Sequence, residues 1–151
     1  MTWPLAALLA GMSAAPAVQI TGLATDSRCV RPGDLFCALA GARGHGLQHL
    51  AQVVAQGAVA VAYEADIETV LPSDSPIPLY PVPNLRARLG ELAARFYGYP
   101  AQRLSLLGVT GTNGKTSITQ FLAQALGGGV IGTLGYGLPG QLQPTTHTAP
   151  D

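Results

Sequence analysis

Charge is scarce in this sequence: only 11% of its residues are Asp, Glu, Lys or Arg, and eight basic residues balance eight acidic ones. A chain so neutral has no broad electrostatic footprint for nucleic acid or an anionic membrane. Cysteine is scarcer still. Cys29 and Cys37 stand eight apart, with no CxxC spacing and no histidine at ligand spacing, which argues against a disulfide framework or a metal site. Reduced, partly buried thiols in a cytosolic protein are the reading. Positive charge is absent before Arg28, so the apolar run at residues 5–10 lacks the basic start of a secretory signal. That run is also too short to span a bilayer. A short helix ended by Gly11 is expected there, in a cytoplasmic protein.

What the chain has is apolar content, 48% of residues, enough for a packed core. Strand patterns fall at residues 18–23, 35–39 and 59–63, with a proline-bearing edge strand at 77–82 and another strand at 130–134. Helical spacing joins Leu47, Leu50, Val53 and Val54 before Gly57, and Leu85, Leu89, Leu92, Ala93 and Phe96 before Gly98, with Asn84 placed to cap. The last seventeen residues read as irregular. Strands alternating with helices give an α/β class with mostly parallel pairing. The change of unit is placed at residues 82–84, so that 1–83 forms a small α/β domain and 84–151 begins a second domain. That second domain holds one complete crossover, too little to cover a parallel sheet, so the chain reads as truncated.

The sharpest signal is the stretch Gly108-Val109-Thr110-Gly111-Thr112-Asn113-Gly114-Lys115-Thr116-Ser117. It follows the apolar run at residues 104–107, expected as a strand, and leads into a helical pattern at Ile118, Phe121, Leu122, Ala125 and Leu126. Glycines let backbone N–H groups converge on phosphate oxygens, and the helix N-terminus adds partial positive charge. Lys115 suits the β/γ-phosphates and the Thr116 hydroxyl suits Mg²⁺. The spacing departs from the strict P-loop pattern, because Val109 stands where its first glycine would be. Nucleotide binding is the expectation.

A second signal is Thr25-Asp26-Ser27-Arg28 followed by Pro32-Gly33-Asp34-Leu35-Phe36-Cys37 and a glycine loop at residues 41–46. Taken alone, Asp26-Ser27-Arg28 also fits a turn with a surface ion pair, and the glycine loop a connector. With Arg95-Phe96-Tyr97-Gly98-Tyr99-Pro100 and the TGTNGKTS loop, however, the order and spacing resemble the Mur ligases of peptidoglycan synthesis. The resemblance covers the whole chain, and within the family it points to the N-terminal portion of the branch that adds a diamino acid.

It implies a UDP-binding first domain, in which Thr25 and Ser27 contact the nucleotide and the loop Arg43-Gly44-His45 closes over it. It implies a P-loop, parallel-sheet ATPase domain in which Gly111, Thr112, Asn113, Gly114, Lys115, Thr116 and Ser117 hold ATP, with Mg²⁺ at Thr116 and Lys115 catalytic. Near the C-terminal end, His147 and Thr148 match the family's muramoyl-substrate contacts, while Ala149 lacks the hydroxyl the family has there. The implied reaction is an ATP-dependent amide ligation: a D-glutamyl carboxylate of UDP-MurNAc-L-Ala-D-Glu becomes an acyl phosphate. The amine of a diamino acid, meso-diaminopimelate, then displaces phosphate. The amine-binding domain falls beyond residue 151, so the 151-residue chain alone is expected to be silent, and its partner is the remainder of the ligase. A stand-alone nucleotide or UDP-sugar-binding module is the alternative.

Overall fold

The computed structural model describes residues 2–16, 18–41, 44–66 and 70–144, and the chain divides into two compact units between Leu104 and Ser105. The first unit opens with β1 (Trp3–Pro4), α1 (Leu5–Leu8), β2 (Gln19–Ile20) and β3 (Gly22–Ala24). It continues with β4 (Asp34–Ala38), the hairpin β5 (Ala40–Gly41) and β6 (Gly44–His45), and a 3₁₀ turn, Gly46–His49, that runs into α2 (Leu50–Ala55). Then come β7 (Ala60–Glu64), β8 (Leu79–Val82) and α3 (Leu85–Tyr97). β3, β4, β7 and β8 pair in that order as a four-stranded, wholly parallel sheet.

Period-2 alternation sends successive side chains of each strand to opposite faces. Leu35 and Cys37 of β4, Ala60 and Ala62 of β7, and Tyr80 and Val82 of β8 join Leu5, Leu8, Leu85, Leu92 and Phe96 in one core. Phe36 and Ala38, with Val61 and Tyr63, meet Leu47, Leu50 and Val53 in a second core on the other face. The sheet is therefore covered by α1 and α3 on one side and by α2 on the other. That explains why β4 and β7 are buried at every position. Pro81, which offers no N–H, sits on the edge strand β8.

Several expectations shift in detail. The strand expected at residues 18–23 is split, because Gln19–Ile20 pairs antiparallel with Trp3–Pro4 while Gly22–Ala24 turns to β4. Asn84 stands at the start of α3 in the left-handed region (φ 52°), but its side chain does not cap the helix. Its backbone N–H instead donates to the Asp66 carboxylate. α1 is only four residues long and has no capping side chain of its own. Arg95 of α3 supplies the missing donors, bonding the Leu8 and Ala10 carbonyls at 2.8 and 2.7 Å while paired with Glu91 at 2.5 Å. The helix thought to open the second domain is thus tied by core and by cation to the start of the first. The unit boundary lies after Leu104, not at residue 84.

The second unit contains α4 (Lys115–Leu126) and an antiparallel sheet of β9 (Val130–Gly132), β10 (Gly135–Leu138) and β11 (Gln141–Gln143). The hairpin corrects the reading of the last seventeen residues as irregular, at least through Gln143. Residues 104–107 form no strand, since none of the described strands pairs with them. Leu106 and Leu107 consequently stand 71% and 62% exposed.

Candidate nucleotide sites

Thr25 and Ser27 follow β3, and the β5–β6 hairpin follows β4, so both lie at the carboxyl edge of the parallel sheet. Crevices at that edge are where open α/β sheets take ligands. The connection from β3 to β4 spans residues 25–33 and closes on itself: the Cys29 N–H donates to the Asp26 carbonyl at 3.0 Å. Arg28 donates from its backbone N–H to Asp26 Oδ1 at 2.9 Å and from Nη2 to Oδ2 at 2.6 Å. The ion-paired turn that the residues alone allowed is therefore present, and Ser27 is buried within it.

These hydrogen bonds from Arg28 hold the Asp26 carboxyl well below its usual range, at about 2. The folded pKa is depressed, so the contribution of this contact to stability is present in full above the unfolded carboxyl range near pH 4. It is lost as pH falls through about 2. A carbon-detected NMR titration is expected to show an Asp26 midpoint near 2, and Arg28→Ala should return it toward ~3.9. A wild-type midpoint already near that ordinary value would refute the pairing.

Ser27 Oγ donates to Gln52 Oε1 at 3.2 Å, and Gln52 Nε2 returns a bond to the Ser27 carbonyl at 3.4 Å. The Ser27 hydroxyl proton is thus committed to α2, and what it can offer a nucleotide is its lone pairs. Thr25 is exposed and has both roles open. Nothing in the sequence marks Gln52, because a glutamine on a helix carries no signal until its partner is known.

In the hairpin, Ala40 pairs with His45 and Gly41 with Gly44. His45 Nδ1 accepts the Leu47 N–H at 3.2 Å, which caps the 3₁₀ turn, and Nε2 lies 3.2 Å from the Glu64 carbonyl. That network assigns the neutral ring with its proton on Nε2. His45 is therefore a cap for the turn that leads into α2, with both nitrogens engaged. Gly46, next along, has no room for a side chain: a Cβ there would stand 2.8 Å from the Ala38 Cα. Arg43, His147 and Thr148 lie outside the described residues.

The second site is the glycine loop. Gly111 (φ 144°) and Gly114 (φ 76°) occupy backbone conformations that L side chains rarely adopt. Gly114 is the residue at which α4 begins, so the first N–H groups of the helix, from Lys115 onward, have no partners within the helix. Lys115 is the only lysine in the chain. Its Nζ donates to the Gly111 carbonyl at 2.5 Å and lies 3.5 Å from that of Thr112, folding the cation back over the loop. Thr116 is half-buried, and with Lys115 it lines a cavity of about 310 Å³ that Val109, Thr119 and Gly132 help to bound. No group of three or more His, Cys, Asp or Glu side chains suited to a metal occurs among the described residues. Thr116, Thr119 and Thr133 bring hydroxyl oxygens to that cavity, a sparse oxygen set that fits an ion taking few protein ligands and keeping waters and phosphate oxygens.

Comparison with known proteins follows this division. Residues 19–97 match the Mur ligase family, catalytic domain, and residues 109–151 match the Mur ligase middle domain. The UDP-N-acetylmuramoyl-L-alanyl-D-glutamate--2,6-diaminopimelate ligase of Pseudomonas putida is 51% identical over 156 aligned positions, covering 100% of this chain and 31% of the relative. The enzyme of the same name from Xanthomonas campestris pv. campestris is 50% identical, covering 97% and 30%. The chain thus spans under a third of the length of these relatives. Among solved structures, MurF from Acinetobacter baumannii aligns with a TM-score of 0.65 and 30% identity over 84% of this chain and 28% of that one. MurF from Thermotoga maritima in complex with ADP aligns at 0.51 and 29% identity over 70% and 23%. The first family match alone takes in more than half of the sequence, and the chain belongs to the Mur ligase family.

Proposed function

We propose that this chain forms the uridine-nucleotide-binding and phosphate-binding portion of an ATP-dependent amide ligase of peptidoglycan synthesis. The reaction is the addition of a diamino acid, meso-diaminopimelate, to UDP-MurNAc-L-Ala-D-Glu through an acyl phosphate. The observation that carries this reading is the loop at residues 108–117, with Gly111 and Gly114 in positive-φ conformations and the chain's one lysine opening α4. The names of the relatives supply the substrate. The cytoplasm, where such precursors are made, is the proposed location; no described helix is long and apolar enough to cross a membrane.

The described residues divide the work. Thr25 and the lone pairs of Ser27 face ribose and pyrophosphate, while Gly44 brings main-chain groups close to the nucleotide. Free N–H groups at the head of α4 donate to the ATP phosphate oxygens. Lys115 leaves the Gly111 carbonyl and moves its charge to the transferred phosphoryl group, where developing charge dominates the barrier. Mg²⁺, held in part by Thr116, supplies further neutralisation when bound.

Titration followed by backbone NMR tests both halves. UDP-MurNAc-L-Ala-D-Glu is expected to shift the amides of Thr25, Ser27 and Gly44, and ADP those of residues 111–117. Failure of the first ligand to perturb its residues would overturn the uridine-nucleotide assignment. Failure of the second would overturn the ATP assignment.

A further inference from the structure

Glu64 is a buried acid, 8% exposed, at the end of β7, and the chemistry proposed above makes no use of it. Burying a carboxylate is costly unless hydrogen bonds compensate it. Its Oε2 accepts the Ala40 N–H at 3.1 Å, and its main-chain carbonyl lies 3.2 Å from His45 Nε2. Ala40 and His45 are the paired residues at the base of the β5–β6 hairpin. One residue of the sheet thus grips both strands of the hairpin, one through its side chain and the other through its backbone. Arg86 of α3 completes the hold, donating from Nη2 to the Ala40 carbonyl at 2.7 Å. Both main-chain polar groups of Ala40 are therefore engaged by side chains from other elements.

We infer that Glu64 is a positioning residue for nucleotide binding: its carboxylate clamps the hairpin at the sheet's carboxyl edge so that Gly44 is presented to a uridine diphosphate. This rests on the assignment of Gly44 to the uridine-nucleotide site. Neither Glu64 nor Arg86 need touch the ligand. Their effect runs through the hairpin.

The experiment titrates UDP into the full chain and into Glu64→Ala and Glu64→Gln, with hydrogen exchange read at single amides. Glu64→Ala is expected to weaken UDP binding roughly tenfold, the scale of one hydrogen bond to a charged group. It should also release the Ala40 amide while amides of β4 keep their protection. In Glu64→Gln the side-chain carbonyl still accepts that N–H, so affinity should stay within about threefold of wild type. A glutamate needed only for the fold would lower the unfolding midpoint without changing the affinity of the folded protein. If Glu64→Ala unfolds, Arg86→Ala serves instead, with weaker UDP binding expected at an unchanged unfolding midpoint. Equal UDP affinity in wild type and in the folded variant would overturn the clamp and leave the nucleotide site standing. Equal weakening in Glu64→Ala and Glu64→Gln would also overturn it, since charge rather than the accepted bond would be responsible. A wild-type chain indifferent to UDP would overturn the nucleotide site and the clamp with it.

Discussion

Replacing Lys115 with alanine is expected to weaken ADP and ATP binding by roughly ten- to a hundredfold, the cost of losing a charge-assisted contact worth ~1.5–3 kcal/mol. Fold stability should change by no more than ~0.5 kcal/mol. The two effects separate because of where the ammonium now sits. It donates to the carbonyls of Gly111 and Thr112, both exposed, so water replaces it there at little cost. On a bound phosphate nothing replaces it: no other Lys or Arg occurs between residues 105 and 151. Lys115→Arg should not restore full affinity, because a planar guanidinium differs in shape and reach from a compact ammonium at a phosphate. Calorimetric titration with ADP measures the loss. As Lys115 is the chain's only lysine, acylation of side-chain amines reports on the same contact, and bound ADP should slow it. Equal ADP affinity in wild type and Lys115→Ala would refute the assignment of the loop.

Much of this was legible in the sequence where local chemistry decides the outcome. The buried strands at Asp34–Ala38 and Ala60–Glu64 read as apolar runs because both faces of the sheet are covered. The positive-φ glycines at 111 and 114 and the helix start at Lys115 are legible because glycine conformations and a helix start are sequence-local features. What was not legible depended on partners distant in sequence. The run at residues 104–107 has the composition of a strand, yet a strand exists only against another, and the described strands offer it none. Asn84 has the side chain of a cap, but the Asp66 carboxylate takes its N–H and its side chain caps nothing. The resemblance marks Ser27 as a ligand contact, while its tie to Gln52, 25 residues away, emerges only once α2 packs against the turn. The resemblance places His45 in a nucleotide loop, whereas its contacts in the structure are those of a cap. Glu64 carried only a faint mark, an acid closing an apolar run.

The unit boundary is the largest of these differences, and Leu92→Ala tests it. The turn residues around Pro83-Asn84 suggest a break in the chain, but the helix that follows carries an apolar stripe of Leu85, Leu89, Leu92 and Phe96 that must be buried somewhere. One face of the parallel sheet needs cover, and the four-residue α1 is too small to provide it alone. The stripe and the face meet: Leu92 is fully buried in one cluster with Leu5, Leu8, Leu35 and Val82. Truncating a leucine in such a place costs ~2–5 kcal/mol, from lost transfer energy and the cavity left behind. That is a large fraction of the ~5–15 kcal/mol that holds a domain of this size. At ~4–8 °C per kcal/mol, the first unit should melt roughly 8–40 °C lower. Leu126→Ala on α4 is the matched control: that side chain is 66% exposed, so its loss should fall within ~0.5 kcal/mol. Amide exchange identifies which unit carries the damage. If α3 belongs to the first unit, Leu92→Ala strips protection from β4 and β7 and leaves α4 unchanged. If α3 instead opened the second unit, α4 and the β9–β11 sheet would lose protection while β4 and β7 kept theirs, and the boundary after Leu104 would be wrong.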